Sequence, residues 1–222
     1  MQMKIRKAQS SESFLVSAIL AVSGGFQDAY TYNTRDQVFS NAQTGNVVLM
    51  SQHFMMQEWL SGLHYLVPLV AFALGVVVSE QLRTKYKNAK KIHWRQLVVL
   101  IEAVLLFLVG FLSYKHNMTA TMIVSFTCAM QVQAFRKIKG NGFATTMCIG
   151  NLRSGTDALS SLVRTKEKPY AKKVLYYYGI IFVFAIGAGI GGICSIYIGI
   201  KCIWVSCILL MLACIAMRKE YR

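Results

Sequence analysis

Several chemistries are missing from this 222-residue chain. Its six cysteines, Cys128, Cys148, Cys194, Cys202, Cys207 and Cys214, form no C-x-x-C pair and fall in apolar segments. They read as buried, reduced small hydrophobes. His53 and His64 are isolated, without H-x-x-x-H or a similar spacing. No metal and no cofactor is expected from such a pattern. A Ser/His pair and a carboxylate dyad of usable spacing are absent too, so the chain does not read as an enzyme. Acidic residues are scarce, nine against 24 Lys and Arg, which leaves a net charge of +15. Such a balance can mark a nucleic-acid binder. Here the basic residues collect in short loops beside apolar runs, the footprint of a membrane protein, and no nucleic acid is expected.

What is present is apolar length. Hydrophobic residues make up 55% of the chain, with a mean hydropathy of +0.45. Runs of about 18–20 apolar residues can cross a hydrocarbon core of roughly 30 Å. Six such spans are expected: Phe14–Tyr32, Leu63–Leu82, Gln96–Tyr114, Met118–Phe135, Val174–Tyr197 and Ile200–Met217. They form one membrane domain over residues 1–222. Met1–Lys7 and the following run resemble a signal peptide with Ala21-Val22-Ser23 as a cleavage site. The five later spans and Asp28 favour an uncleaved first helix.

Alternating the spans from a cytoplasmic N-terminus places 20 basic residues inside and three, Arg35, Lys115 and Lys201, outside, with Arg153 left over. Both termini are therefore expected in the cytoplasm. Two half-polar segments, Val38–Gln57 and Phe143–Val163, cannot both cross without moving the basic 83–95 loop outside. Each reads as re-entrant, its backbone buried in protein or facing a wet cavity. Surface amphipathic helices are the alternative.

A shift of 105 residues lays Asp28-Ala29 on Gln133-Ala134, Ser40 on Thr145 and Gly45-Asn46 on Gly150-Asn151. After a seven-residue insertion, Phe72-x-x-Gly75 falls on Phe184-x-x-Gly187. The halves, about 14–114 and 118–217, would each hold three spans and one dipping segment. An odd span number makes the repeats inverted, a recurrent transporter plan with its site near the midplane.

Gly25-Phe26-Gln27-Asp28-Ala29, Thr44-Gly45-Asn46, Ala129-Met130-Gln131-Val132-Gln133, Thr145-Thr146 and Gly150-Asn151-Leu152 together resemble the YoaK-like family of bacterial membrane proteins. That family is named for a domain of unknown function, and the resemblance covers roughly residues 12–217. It implies an integral protein of the bacterial inner membrane and lends no substrate or reaction. The family repeats Thr-Gly-Asn in its second half, whereas this chain has Ile149 in place of the threonine.

Candidate site residues gather at the two turns. Asn46, Asn151 and Thr44 suit helix N-caps. Gly45 and Gly150 permit backbone angles other residues resist. Helices starting there would aim N–H groups and a positive dipole end at the centre. Arg153, in the first turn of the second such helix, needs an anion, from a solute or from a side chain. Asp157, four residues on, is the local competitor. Asp28, about fifteen residues into the first span, must be paired, hydrated or protonated. Gln133 is its neutral repeat mate, and Gln27 and Gln131 add polar lining. Glu102 reads equally as an interfacial residue or a relay member. Gly187-x-x-x-Gly191-x-x-x-Ser195 permits close packing, by default within the chain, with a homo-oligomer contact as the other use. Trp59, Trp94, Tyr114 and Tyr176–Tyr178 fit interfacial belts.

The expected function is a small-solute transporter or channel, proton-coupled through Asp28 and favouring an anionic or carbonyl-bearing solute. The partners are then the lipid bilayer and that solute. The competing reading is a non-transporting membrane subunit or sensor acting through its surface.

Overall fold

The computed structural model describes residues 13–87, 89, 93–138 and 141–219. The basic residues Lys4, Arg6, Lys7, Lys90, Lys91, Lys139 and Arg222 lie outside them, as does the signal-like Met1–Lys7. Eight α-helices make up most of the described chain: α1 Phe14–Thr34, α2 Gln43–Met55, α3 Trp59–Tyr86, α4 Trp94–Val109, α5 Asn117–Ala134, α6 Cys148–Thr165, α7 Lys168–Ile198 and α8 Trp204–Lys219. Single 3-10 turns, Tyr114–His116 and Gly199–Ile203, lead into α5 and α8. A two-residue ladder pairs Lys137 with Gly142 and Ile138 with Asn141.

All six expected spans are helical, and each half-polar segment holds one helix, of 13 residues in the first and 18 in the second. At 13 residues, α2 is only about 20 Å long and cannot cross a bilayer. The would-be cleavage site lies inside unbroken α1, with Ala21 and Ser23 buried. The third span ends early, at Val109 rather than Tyr114. The carbonyls of Val109, Leu112 and Ser113 all accept from Arg35, and those of Val109 and Ser113 also accept the Leu112 and His116 N–H groups in tight turns.

Local signals set several ends. The Ser13 hydroxyl accepts the Val16 N–H at 3.3 Å and caps α1. Pro169 starts α7, where its missing N–H costs nothing. That helix stops at Gly199, whose φ of +69° disfavours a side chain.

His93 caps α4: its Nδ1 accepts the Arg95 N–H at 3.2 Å, and Gln96 Oε1 accepts the His93 N–H at 3.3 Å. Burial, and then the Arg95 charge, hold the His93 pKa below its ordinary 6.5. The neutral ring is the capping form. A pKa depressed on folding means that this stability is complete above the unfolded value and is lost as pH falls through the folded one. Acidification from pH 7 to 5 should therefore lower the melting temperature more for wild type than for His93→Asn, which keeps an acceptor that does not titrate. Equal slopes would remove His93 from the acid response.

Helix α1 packs on α7 and α3 packs on α5; α2 lies on α3 and α6 lies on α7; α4 meets α8 and α5, and α1 meets α8. Exchanging α1–α4 for α5–α8 maps each of these pairs onto another of them or, for α4 with α8, onto itself. Close approach needs small residues. Added side-chain carbons at Gly25 and Gly187 would collide with the backbone of the facing helix, at Phe184 and Val22 respectively. Gly187, Gly191 and Ser195 are buried, so the small-residue stripe is used within the chain.

Polarity is inverted relative to a water-soluble fold. Val70, Leu74 and Val77 of α3 and Phe182, Ile190 and Ile196 of α7 are exposed. Gln27, Asp28, Arg35, Glu102 and Gln131 are buried. Two helical stretches, Trp59–Tyr86 and Lys168–Met217, are long and apolar enough to cross a membrane, yet only 22% and 33% of their most apolar windows are buried. An apolar exterior of this extent belongs against lipid. Trp59 and Tyr114 are exposed as belt residues should be, whereas Trp94 and Tyr177 are buried. The Tyr177 hydroxyl donates to the Gly142 carbonyl at 2.7 Å, which draws that ring inward.

Candidate polar site at mid-height of the bundle

Gly24 is the central residue of α1, eleventh of 21. Both half-polar segments reach it. The Asn41 amide donates to the Gly24 carbonyl at 3.3 Å, and the Thr146 methyl lies against the Gly24 Cα. These residues occupy matching places in the two halves, since 41 and 146 differ by the repeat shift of 105. The strand-like stretches before α2 and α6 therefore dip to the middle of a helix about 31 Å long.

Two buried carboxylates stand there. Asp28 Oδ1 accepts the Asn41 N–H at 2.7 Å and the Ser40 hydroxyl at 3.0 Å. Glu102, central in α4 and fully buried, accepts the Gln27 amide at 3.1 Å. Gln27 also donates to Ser23 at 3.1 Å and accepts the Cys128 thiol at 2.9 Å. With its amide nitrogen turned to the carboxylate, Gln131 donates to Glu102 at 3.3 Å and accepts the Thr145 hydroxyl at 3.0 Å. Glu102 thus joins α1, α5 and the second turn. Among the described residues neither carboxylate has a cation partner. Asn41 Oδ1, Asn46 Oδ1 and Thr146 Oγ1 are buried without a hydrogen-bond partner. The Asn oxygens, and the carboxylates when ionised, can only accept, so the centre is rich in acceptors.

The two asparagines act as a matched pair, though not as caps. Asn46 donates to the Phe39 carbonyl at 2.8 Å, and Asn151 donates to the Ala144 carbonyl at 2.6 Å, each seven residues back. Each lies one turn inside its helix and clamps the descending segment. The N-cap positions belong to Ala42 and Met147, and neither offers a side-chain cap. This is a correction to the capping expectation. Thr44 is exposed and caps nothing. Gly45 and Gly150 are helical, and neither has a positive φ. A side chain added at Gly150 would meet nothing within 4 Å, and one at Gly45 only the Phe39 ring at 3.7 Å. Backbone strain therefore does not explain either glycine. Both leave open space beside the first turn of a helix.

Arg153 does not enter the network. It is exposed on α6, as is Asp157, and among the described residues no ion pair joins it to Asp28 or Asp157. Gln133 is displaced as well: it donates to Glu80 at the far end of α3. Gln131, two residues earlier, faces the centre instead, on the opposite side of α5. Of the sequence candidates, the structure brings Asp28, Asn46 and Asn151 to the buried turns and sets Arg153 and Gln133 apart. Glu102, Ser40, Asn41, Thr145 and Thr146 complete the site. A signal for the turn residues existed, because Ser40 and Thr145 align under the repeat. Glu102 was left between an interfacial residue and a relay member, and its place at the centre of α4 decides for depth.

Comparison with known proteins gives the same kind of molecule without a task for it. Over 180 residues the chain is 22% identical to the UPF0700 transmembrane protein YoaK of Bacillus subtilis strain 168, covering 77% of this chain and 79% of that one. No solved structure matches. Residues 16–216 match the family described as "Protein of unknown function (DUF1275)". An apolar exterior, a polar centre and a match across nearly the whole chain agree: this membrane protein belongs to the DUF1275 family.

Proposed function

We propose that the protein is a multi-pass inner-membrane carrier for a small solute, with both termini cytoplasmic. It is built from two inverted three-span repeats. The repeat-exchange pattern of helix contacts and the matched Asn46 and Asn151 clamps support that architecture. The observation that carries the functional reading is the buried acceptor-rich network at the centre of α1 and α4. Buried ionisable groups in a membrane domain are costly and mark solute or proton paths. Inverted-repeat carriers bind where two broken segments meet. Asp28 and Glu102, held only by neutral donors, are the proton-carrying candidates. The site acts by binding and proton exchange, not by covalent chemistry.

The preference for an anionic solute rested on the two helix N-termini together with Arg153 sharing the site. With Arg153 outside it and unpartnered acceptors within, a solute offering N–H or O–H donors, or a cation, is the better match. Small amines, amides and polyols head the panel. In detergent, such a ligand at 100 times its dissociation constant should add about 2.7 kcal/mol, or roughly 5–10 °C in melting temperature. Asp28→Asn should abolish the shift. In proteoliposomes with an internal pH dye, Glu102→Gln should bind the solute but lose solute-driven proton movement. If both variants fold and transport like wild type, the carrier reading fails. A non-transporting subunit or sensor then becomes the better account.

A further inference from the structure

We infer that the seam between α3, α4 and α5 holds one anionic phospholipid, its phosphate in a cationic cavity and an acyl chain in an apolar groove along the same helices. The cavity, about 450 Å³, is walled by Arg83, Trp94, Arg95, Gln133, Arg136 and Lys137. Four cations converge there from the end of α3, the start of α4 and the segment after α5. Glu80 offsets part of that charge, bonding Arg136 at 2.9 Å and Arg83 at 3.2 Å. Gln133 donates to the same carboxylate. Arg83, Arg136 and Lys137 alone outnumber that carboxylate, so the cluster is net positive. Trp94 lines it, and the Arg95 guanidinium sits 5.4 Å from that ring's centroid. Aromatic and basic residues together mark headgroup level. The charge bias of the loops puts this end in the cytoplasm, where basic pockets between helices recruit anionic headgroups.

A free anion would need the cavity alone. The groove argues for a lipid. It measures about 540 Å³ and is lined by Val70 and Leu74 of α3, Leu105 of α4, and Met122 and Phe126 of α5, among others. Its lining is apolar throughout. Leu74 lies nine residues from Arg83, and Phe126 lies seven from Gln133, so groove and cavity are about 10–14 Å apart along the helices. That step leads from a phosphate at the interface to an acyl chain in the hydrocarbon core. Helix α3 packs chiefly on α5 and only lightly on α4, which leaves the seam open for a chain.

Native mass spectrometry of the whole protein in an uncharged detergent tests this with three probes: phosphatidylglycerol, phosphatidylcholine and inorganic phosphate. Phosphatidylglycerol should bind at least about tenfold more tightly than phosphatidylcholine, at roughly fivefold per cation engaged. The double variant Arg83→Gln/Arg136→Gln should lose about 25-fold for phosphatidylglycerol on the same scale and lose less for phosphatidylcholine, whose choline offsets its phosphate. Leu74→Trp, which fills the groove, should weaken phosphatidylglycerol binding. Equal binding of the two lipids, an undiminished double variant, or inorganic phosphate matching the lipid would each overturn the assignment. The last outcome would make the cavity a free-anion site. If the double variant does not fold, Lys137→Gln alone decides, with about fivefold loss expected and no loss refuting the site.

Discussion

Arg35→Gln should destabilise the folded protein by about 3–5 kcal/mol, because several buried acceptors lose their donor at about 1–3 kcal/mol each. Arg35 is fully buried. Its guanidinium donates to the Tyr30 hydroxyl at 2.8 and 3.0 Å, to Asn117 Oδ1 at 3.0 Å, and to the carbonyls of Leu112, Val109 and Ser113 at 3.0, 3.2 and 3.3 Å. Among the described contacts no carboxylate touches the guanidinium directly; Asp36 joins through Asn117, which donates to it at 2.7 Å. Five neutral acceptors hold the charge, and three of them are main-chain carbonyls where α4 ends. Glutamine is too short and has too few donors to reach them. Each acceptor left bare costs on the order of 1–3 kcal/mol. Lysine brings a charge but only three donors, without the planar fork, so Arg35→Lys should fall between wild type and Arg35→Gln. Tyr30→Phe removes a single acceptor and should cost about 1 kcal/mol. Thermal melts in detergent would resolve the series at roughly 2–4 °C per kcal/mol. An Arg35→Gln protein within about 0.5 kcal/mol of wild type, the range of an ordinary surface change, would refute the latch.

The second large effect lies at the α1–α7 interface. Gly25→Val and Gly187→Val should each cost more than about 3 kcal/mol, beyond the common range for overpacking. A new carbon at Gly25 would meet the Phe184 carbonyl and come within 2.9 Å of the Ala188 nitrogen. One at Gly187 would come within 2.8 Å of the Val22 backbone. Backbone atoms of a packed helix do not rotate aside, so the helices must separate. In lipid no hydrophobic force offsets the lost contact. Gly150→Ala is the control. It sits in a helix with open space beyond it, and alanine favours a helix over glycine by about 1 kcal/mol. It should fold as well as wild type or slightly better. Retained folding of both valine variants, measured by melting and by monodisperse elution, would mean that α1 and α7 do not pack this closely.

Much of the helix plan was legible without coordinates. Asp28, the Gly187 stripe and the 105-residue shift were all placed by periodicity and spacing. The third span was misjudged at its end, because hydropathy continues to Tyr114 while the chain beyond Val109 turns with its carbonyls gathered on Arg35, a residue distant in sequence. The asparagines were found but given the wrong task. A Thr-Gly-Asn string looks like a cap, yet the helices begin three residues earlier and the side chains reach backwards.

By itself, the sequence determined where the chain is helical, that its helices are apolar enough for a membrane, and which stretches recur at a shift of 105 residues. Those properties follow from the order of apolar and polar residues along a single strand of chain. Only the tertiary structure decided which polar residues meet. Arg153 and Asp28 looked like partners and are apart. Gln133 and Gln131 differ by two positions and face opposite sides of α5. Glu102, Gln27 and Gln131 come from three helices and share one carboxylate. A residue's place on a helix is written in the sequence, but the direction that face points is set by the neighbours packed against it. In a bilayer, where the exterior is apolar, those neighbours alone decide which polar groups find one another.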